Sequence, residues 1–151
     1  MDVATQFALG IVLFVATVVS EAAITVWVLE WRARHLRRLS VSYSVAAGLW
    51  HVTLITVSLM AVHLAQMTLW ALVYLIGGAF DDFHRALFFS MSCFSTLGFA
   101  NYLPGTGWDL LAALQGVVGS LVMGWSAGVL FAAANGFYQE MLASRRAQPP
   151  S

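Results

Sequence analysis

The chain has no lysine, and only 9% of its 151 residues carry a charge. A soluble domain of this size needs far more charge to cover its surface, so that scarcity points to an integral membrane protein. A hydrophobic share of 60% and a mean hydropathy of +0.81 agree. Net charge is zero, which argues against a nucleic-acid partner. A single cysteine, Cys93, excludes an internal disulfide and says nothing of redox compartment. The N-terminus lacks the basic stretch and small-residue cleavage site of a secretory signal, so its apolar run is read as structure. Paired-carboxylate clefts, Ser–His–Asp sets, metal-spaced Cys/His clusters and phosphate loops are missing, so no enzyme is expected. Long linkers, internal repeats and a soluble nucleotide- or calcium-binding domain are missing as well.

What is present is grease in long runs. A bilayer core of ~30 Å needs ~20 apolar residues as helix, and three stretches qualify. The first is residues 7–29. The second lies within residues 41–77, about 55 Å long as helix and so longer than one crossing; Trp50 to Ile76 is the expected crossing. The third is residues 108–138, followed by a tail at 139–151 ending "SRRAQPPS". The whole of 1–151 reads as one membrane domain. Six of the seven arginines, at 32, 34, 37, 38, 145 and 146, fall in the first loop or the tail, which share a side if there are three spans. Asp2, Asp81, Asp82 and Asp109 fall on the other. By the positive-inside bias the N-terminus is outside and the C-terminus cytoplasmic. Trp27, Trp31 and Trp50 then mark the inner interface and Trp108 the outer one.

Between the second and third spans lies a short apolar segment, within residues 82–95, too short to cross. Asp81 or Asp82 suits its N-cap. It leads into "CFSTLGFANYLP", residues 93–104, a polar, glycine-bearing strand amid apolar sequence. Non-helical backbone at membrane depth is tolerated only where it is buried in protein or lines a wet cavity. The order span, short helix, polar strand, span is that of a pore loop, and the carbonyl end of the short helix favours a cation.

These residues resemble the pore of tetrameric potassium channels, particularly small two-span bacterial ones. The filter of that family reads T-V/I-G-Y/F-G-D/N with a proline three residues on. Thr96, Leu97, Gly98, Phe99 and Asn101 fit it, with Pro104 in place and Trp108 at the start of the next span. The sequence "LQGVVGSLVMGWSAG" is similar to the inner helix of the same superfamily. The likeness covers roughly residues 50–138; residues 7–29 have no counterpart in the simplest members. It implies an all-α integral membrane protein with three transmembrane helices, a re-entrant pore helix and a selectivity-filter loop at 96–101 per subunit, assembled as a homotetramer. It implies passive potassium conduction, with carbonyls of Thr96, Leu97, Gly98 and Phe99 as ion ligands and no cofactor beyond permeant monovalent cations. A bacterial inner membrane is the expected location.

Three departures from the pattern stand out. Ala100 replaces the second filter glycine, where a Cβ is strained by on the order of 1–2 kcal/mol per subunit; this implies a rearranged outer filter. Phe88 and Phe89 stand where small bacterial channels often have Trp-Trp, and Ser92 replaces a Glu found behind the filter in some members. The alternatives are a weakly selective cation channel and a non-conducting or regulatory subunit that keeps the fold.

Other residues carry two readings each. Gly116, Ser120, Gly124, Gly128 and Ala132 recur every fourth residue, a stripe suited to close helix packing; the resemblance adds a gating hinge at Gly119, Gly124 or Gly128. Glu21, near the middle of the first span, should face protein or water, with Gln66 or His63 as partner. It is either a protonated structural group or a proton- or cation-sensing one. His51 and His63 lie about 120° apart around one helix, which makes no two-ligand face; a haem-binding pair across helices and a pH-sensing role are the other readings. The cluster Arg32, Arg34, Arg37 and Arg38 lacks the three-residue spacing of a voltage sensor and reads as an inner-side anchor, with anionic-lipid contact as an extra. Asp81, Asp82 and Asp109 would concentrate cations at the outer mouth. Cys93 reads as packing filler.

Overall fold

The computed structural model describes residues 1–38, 45–98 and 102–146. Four helices follow in order: α1 (Val3–Arg38), α2 (Val45–Ile76), α3 (Phe83–Phe94) and α4 (Asp109–Arg146). Among the described residues there is no strand. Three helices are long and apolar enough to cross a membrane, over Val3–Trp31, Gly48–Ile76 and Asp109–Ser144. The chain is an all-α membrane protein.

Both outer spans run on as helix past the apolar stretches that define them. After residue 29, "EWRARHLRR" holds good helix formers and neither glycine nor proline, and α1 continues to Arg38. An exposed Arg34–Glu30 pair, 3.1 Å apart, supports that last turn. Likewise "QEMLASRR" carries α4 through Arg146, into the stretch expected as tail. Residues 41–44, where the second apolar run begins, and 147–151 lie outside the described residues, as do the side chains of Arg32, Arg37 and Arg38.

Between helices in lipid the apolar surface gains little from association, so small residues and polar links decide who packs on whom. α1 shows this plainly. Its buried positions are Gln6, Gly10, Leu13, Thr17, Glu21, Thr25 and Val28, three or four apart, whereas Ile11, Val15, Val19 and Val26 face outward. That is an amphipathic helix turned inside out, with its polar stripe set against α2 and α4. Gly10 meets the Leu114 side chain, and the Gln6 Oε1 accepts from the Leu111 backbone N–H at 3.2 Å, serving one orphan donor of α4's first turn. The start of α1 and the start of α4 therefore sit at one end of the bundle, and the two arginine-bearing helix ends at the other.

α3 lies between α2 and α4. Around it gathers the main core, with Trp70, Tyr74, Phe80, Phe89, Trp108 and Leu111. Tyr74 makes edge-on contacts with Phe89 at 5.2 Å and Trp108 at 5.9 Å, geometries worth about 0.5–1.5 kcal/mol each beyond area. Trp108 is thus only 7% exposed, packed inside the subunit rather than presented to an interface belt, because Tyr74 offers it a ring edge. At the opposite end a smaller core joins Val28, Ile55, Leu59 and Ala133. Beside it the Phe137 ring of α4 seats in the notch left by Gly48 on α2, where any Cβ would collide with it.

Candidate functional site

The site is the short helix and the turn that follows it. Asp82 takes extended backbone and its carboxylate accepts from the Arg85 N–H at 3.1 Å, capping α3; such a cap contributes about 1 kcal/mol. The helix is stopped by Ser95, whose hydroxyl donates to the Met91 carbonyl at 2.7 Å. The chain then folds back: the Thr96 N–H reaches the Cys93 carbonyl at 3.0 Å and the Gly98 N–H the Ser92 carbonyl at 3.3 Å.

Thr96 and Gly98 take positive φ, 59° and 65°, and Leu97 between them does not. For a β-branched residue this region is an outlier that the surroundings must impose. Alternating hand turns successive peptide units the same way, as in the backbone nests that gather like groups on one side. The Thr96 hydroxyl donates to the Ser95 carbonyl at 2.7 Å, and Leu97 is largely exposed. Phe99, Ala100 and Asn101, the rest of the expected filter, lie outside the described residues.

Each expected supporting residue has a place. Phe89 is buried in the main core. Phe88 is half-buried, its ring edge-on to Tyr102 at 5.5 Å, and the Arg85 guanidinium lies over that same Tyr102 ring, 5.6 Å from its centre. Ser92 is buried. Behind the turn is a cavity of about 330 Å³ lined by Ser92, Cys93, Gly98, Pro104 and Asp109 among others. Gly119 is needed for close approach, since a Cβ there would collide with the backbone carbonyl of Phe94, the last residue of α3. Gly124 and Gly128 face open space and line a groove of about 360 Å³ with Leu29 and Trp125.

Sequence reasoning missed the polar brace behind α3. The Tyr74 hydroxyl donates to Gln115 Oε1 at 2.9 Å. The Gln115 Nε2 donates to the Ser90 hydroxyl at 2.7 Å and to the Ser90 carbonyl at 3.2 Å. The Ser90 hydroxyl in turn donates to the Met67 carbonyl at 2.7 Å. Tyr74, Ser90 and Gln115 are all fully buried, so this chain ties α3 to both neighbours through groups with no solvent alternative. The signal was a lone glutamine in an apolar span, which must find a partner.

A second polar cluster joins α1, α2 and α4. Glu21, fully buried, accepts from the Ser126 hydroxyl at 2.5 Å and from the Gln66 Nε2 at 3.2 Å. His63 Nε2 lies 3.0 Å from Ser126 Oγ and 3.5 Å from Glu21 Oε2. Thr17 accepts from the Trp70 indole N–H at 3.2 Å, and Thr25 from that of Trp125 at 3.3 Å. Both expected partners of Glu21 are therefore present, and Ser126 is an additional one. His51 sits elsewhere, its ring 5.9 Å from Trp31, and no group of three or more potential metal ligands occurs among the described residues.

A family model described as "Ion channel", that of two-span pore-loop channels, matches residues 52–135, just over half of the chain. No curated protein and no solved structure matches.

Proposed function

Because the chain belongs to the two-span pore-loop ion channel family, a family of channels and not of enzymes, we propose that it conducts monovalent cations passively, potassium foremost. The observation that carries this reading is the turn after α3. There a 12-residue helix ends inside the bundle and delivers Thr96, Leu97 and Gly98 with alternating backbone hand. The helix C-terminus bears partial negative charge, and carbonyls in register beyond it replace the hydration shell of a cation. Carbonyls of Thr96, Leu97, Gly98 and Phe99 are the proposed ligands.

One copy contributes one such turn, so a closed pathway needs several around an axis; four is the number the family resemblance implies. The outward apolar face of α4, with Val117, Leu121 and Phe131, suits contact with lipid or with neighbouring copies. Gly124 and Gly128, with no atom in their way, would line the inner vestibule. In the proposed topology the arginine-rich helix ends are cytoplasmic, beside anionic lipid at Arg32, Arg34, Arg37 and Arg38, in a bacterial inner membrane.

Reconstitution into liposomes with a potassium-flux measurement tests this. Wild type is expected to carry potassium in preference to sodium, at an Ala100-limited rate, with Ala100→Gly more selective. Absence of flux for every monovalent cation, over a range of pH and voltage, would reject conduction. Flux appearing only in Ala100→Gly would identify the native chain as a non-conducting subunit.

A further inference from the structure

The pore-loop reading leaves the buried cluster on α1 without a purpose. Glu21 lies outside residues 52–135, the stretch matched by the family model, so its role is not one the family supplies. It is fully buried, at the depth of a membrane span, and faces α2 and α4 through side chains alone. An ionisable group in such a place is costly unless its charge is matched.

We propose that Glu21 and His63 form an intramembrane proton-binding site, relayed through Ser126, whose proton content sets how firmly α1 holds the inner helix α4 beside Gly124.

The relay follows from the distances. Two links join three side chains: Glu21 Oε1 to Ser126 Oγ, 2.5 Å, and Ser126 Oγ to His63 Nε2, 3.0 Å. Each link needs one hydrogen. Serine brings one, and the second comes from either end. With the proton on His63, Nε2–H donates to Ser126, and Ser126 donates to the Glu21 carboxylate. When the His63 N–H bond breaks and its proton passes to Ser126 Oγ, the serine proton passes to Glu21 Oε1. Imidazolium and carboxylate thereby become imidazole and carboxylic acid, with no atom or charge lost. A neutral Nε2–H imidazole beside the carboxylate satisfies both links as well, but with a net negative charge; one added proton makes the pair neutral in either form, the state an apolar setting favours.

A second proton changes the pattern. With Glu21 a carboxylic acid and His63 an imidazolium, both ends donate to Ser126, and the serine hydroxyl donates to neither. The site then holds net positive charge among apolar neighbours. His63 is the entry point, its side chain 11% exposed against 0% for Glu21. Among the described residues no other titratable side chain hydrogen-bonds to Glu21, Ser126, His63 or Gln66. α2 brings His63 and the uncharged Gln66, α4 brings Ser126, and α3 brings the Phe94 ring, 5.9 Å from the imidazole. On the same carboxamide that serves Glu21, Gln66 Oε1 is buried with no hydrogen-bond partner among the described residues, an acceptor left for an added proton.

The position on α4 gives this consequence. Ser126 is two residues past Gly124, and its neighbour Trp125 donates to Thr25 of α1. Water drawn to the added charge parts α1 from α4 at Ser126, next to Gly124, where an added Cβ would meet nothing within 4 Å.

This inference rests on the channel reading for its flux arm only, so two measurements are made on full-length wild type, Glu21→Gln and His63→Gln. The first is potassium flux in liposomes between about pH 8 and about pH 5, the range in which histidine titrates. Wild-type flux should rise at the acid end by about fivefold or more, the lower range of coupling between two sites, and both variants should lose that dependence. Flux in wild type that is independent of pH or falls on acidification, or an acid response retained by both variants, overturns the proposal. The second is the infrared absorption of protonated carboxyl groups in the same membranes. A band that changes with pH in wild type, is absent from Glu21→Gln and is displaced in His63→Gln supports the site even if no variant conducts, in which case the channel reading alone falls. A band that does not respond to pH, or that persists unchanged in Glu21→Gln, overturns the site whatever the flux. His63→Gln keeps the comparison decisive if Glu21→Gln fails to fold.

Discussion

Between helices in lipid, single polar residues specify much of which helix packs on which. Gln115 is the clearest example. It accepts from Tyr74 and donates to Ser90, so Gln115→Leu orphans the buried Tyr74 hydroxyl at about 1–3 kcal/mol and takes a further donor from Ser90, whose carbonyl keeps its bond within α3. Tyr74→Phe removes one donor and leaves only Gln115 Oε1 short. Thermal unfolding in one detergent should therefore rank wild type above Tyr74→Phe and Tyr74→Phe above Gln115→Leu; equal melting of all three would show that the brace carries no stability. Glu21 was legible as an oddity because charge in a span is rare. Gln115 was legible only as a lone glutamine in need of a partner and Ser90 not at all, since the partners stand 25 and 41 positions apart along the chain.

Hydropathy set out the elements and their types without difficulty, since length and apolar run decide a membrane helix. Their ends were harder to read. α1 and α4 outrun their apolar stretches because helix formers continue where grease stops, and hydropathy is blind to propensity. The orientation of α1 was in fact written in the sequence, as polar or small residues at 6, 10, 17, 21 and 25, a stripe whose sense is reversed from that of a water-soluble helix. That the chain leaves the helix near Thr96 was legible from the polar strand in apolar sequence, but its positive φ was not, because that contradicts the local preference of a β-branched residue and is imposed by packing. The contact between α3 and α4 is likewise a matter of elements: Gly119 lets the Phe94 carbonyl touch the inner helix. Gly119→Ala should lower thermal stability by about 1–3 kcal/mol, the usual range for overpacking, and displace the turn, whereas Gly124→Ala, with nothing near it, should not lower it. Equal losses in both would mean that the small-residue stripe acts uniformly and that this contact is not special.

At the scale of the molecule, charge and topology agree. The start of α1, the α2–α3 connection and the start of α4, bearing Asp2, Asp81, Asp82 and Asp109, share one end of the bundle, and the arginine-bearing ends of α1 and α4 share the other. In the proposed orientation, Leu103→Cys should react with a membrane-impermeant thiol reagent from outside the cell and Ala143→Cys only from within, each measured against the parent carrying half-buried Cys93. Labelling of both from one side would overturn the topology. The seat of Phe137 in the Gly48 notch bears on how such a molecule can move. From Gly124 to Phe137 the helix runs roughly 20 Å, at 1.5 Å per residue, so a bend of only about 10° at Gly124 carries the ring some 3 Å sideways, more than the depth of a methyl-sized notch. Close-packed contacts do not stretch by that much; they hold or they let go. On such a bend the lower arm of α4 would act as a detent, clicked into α2 or clear of it, with nothing for intermediate angles to rest on.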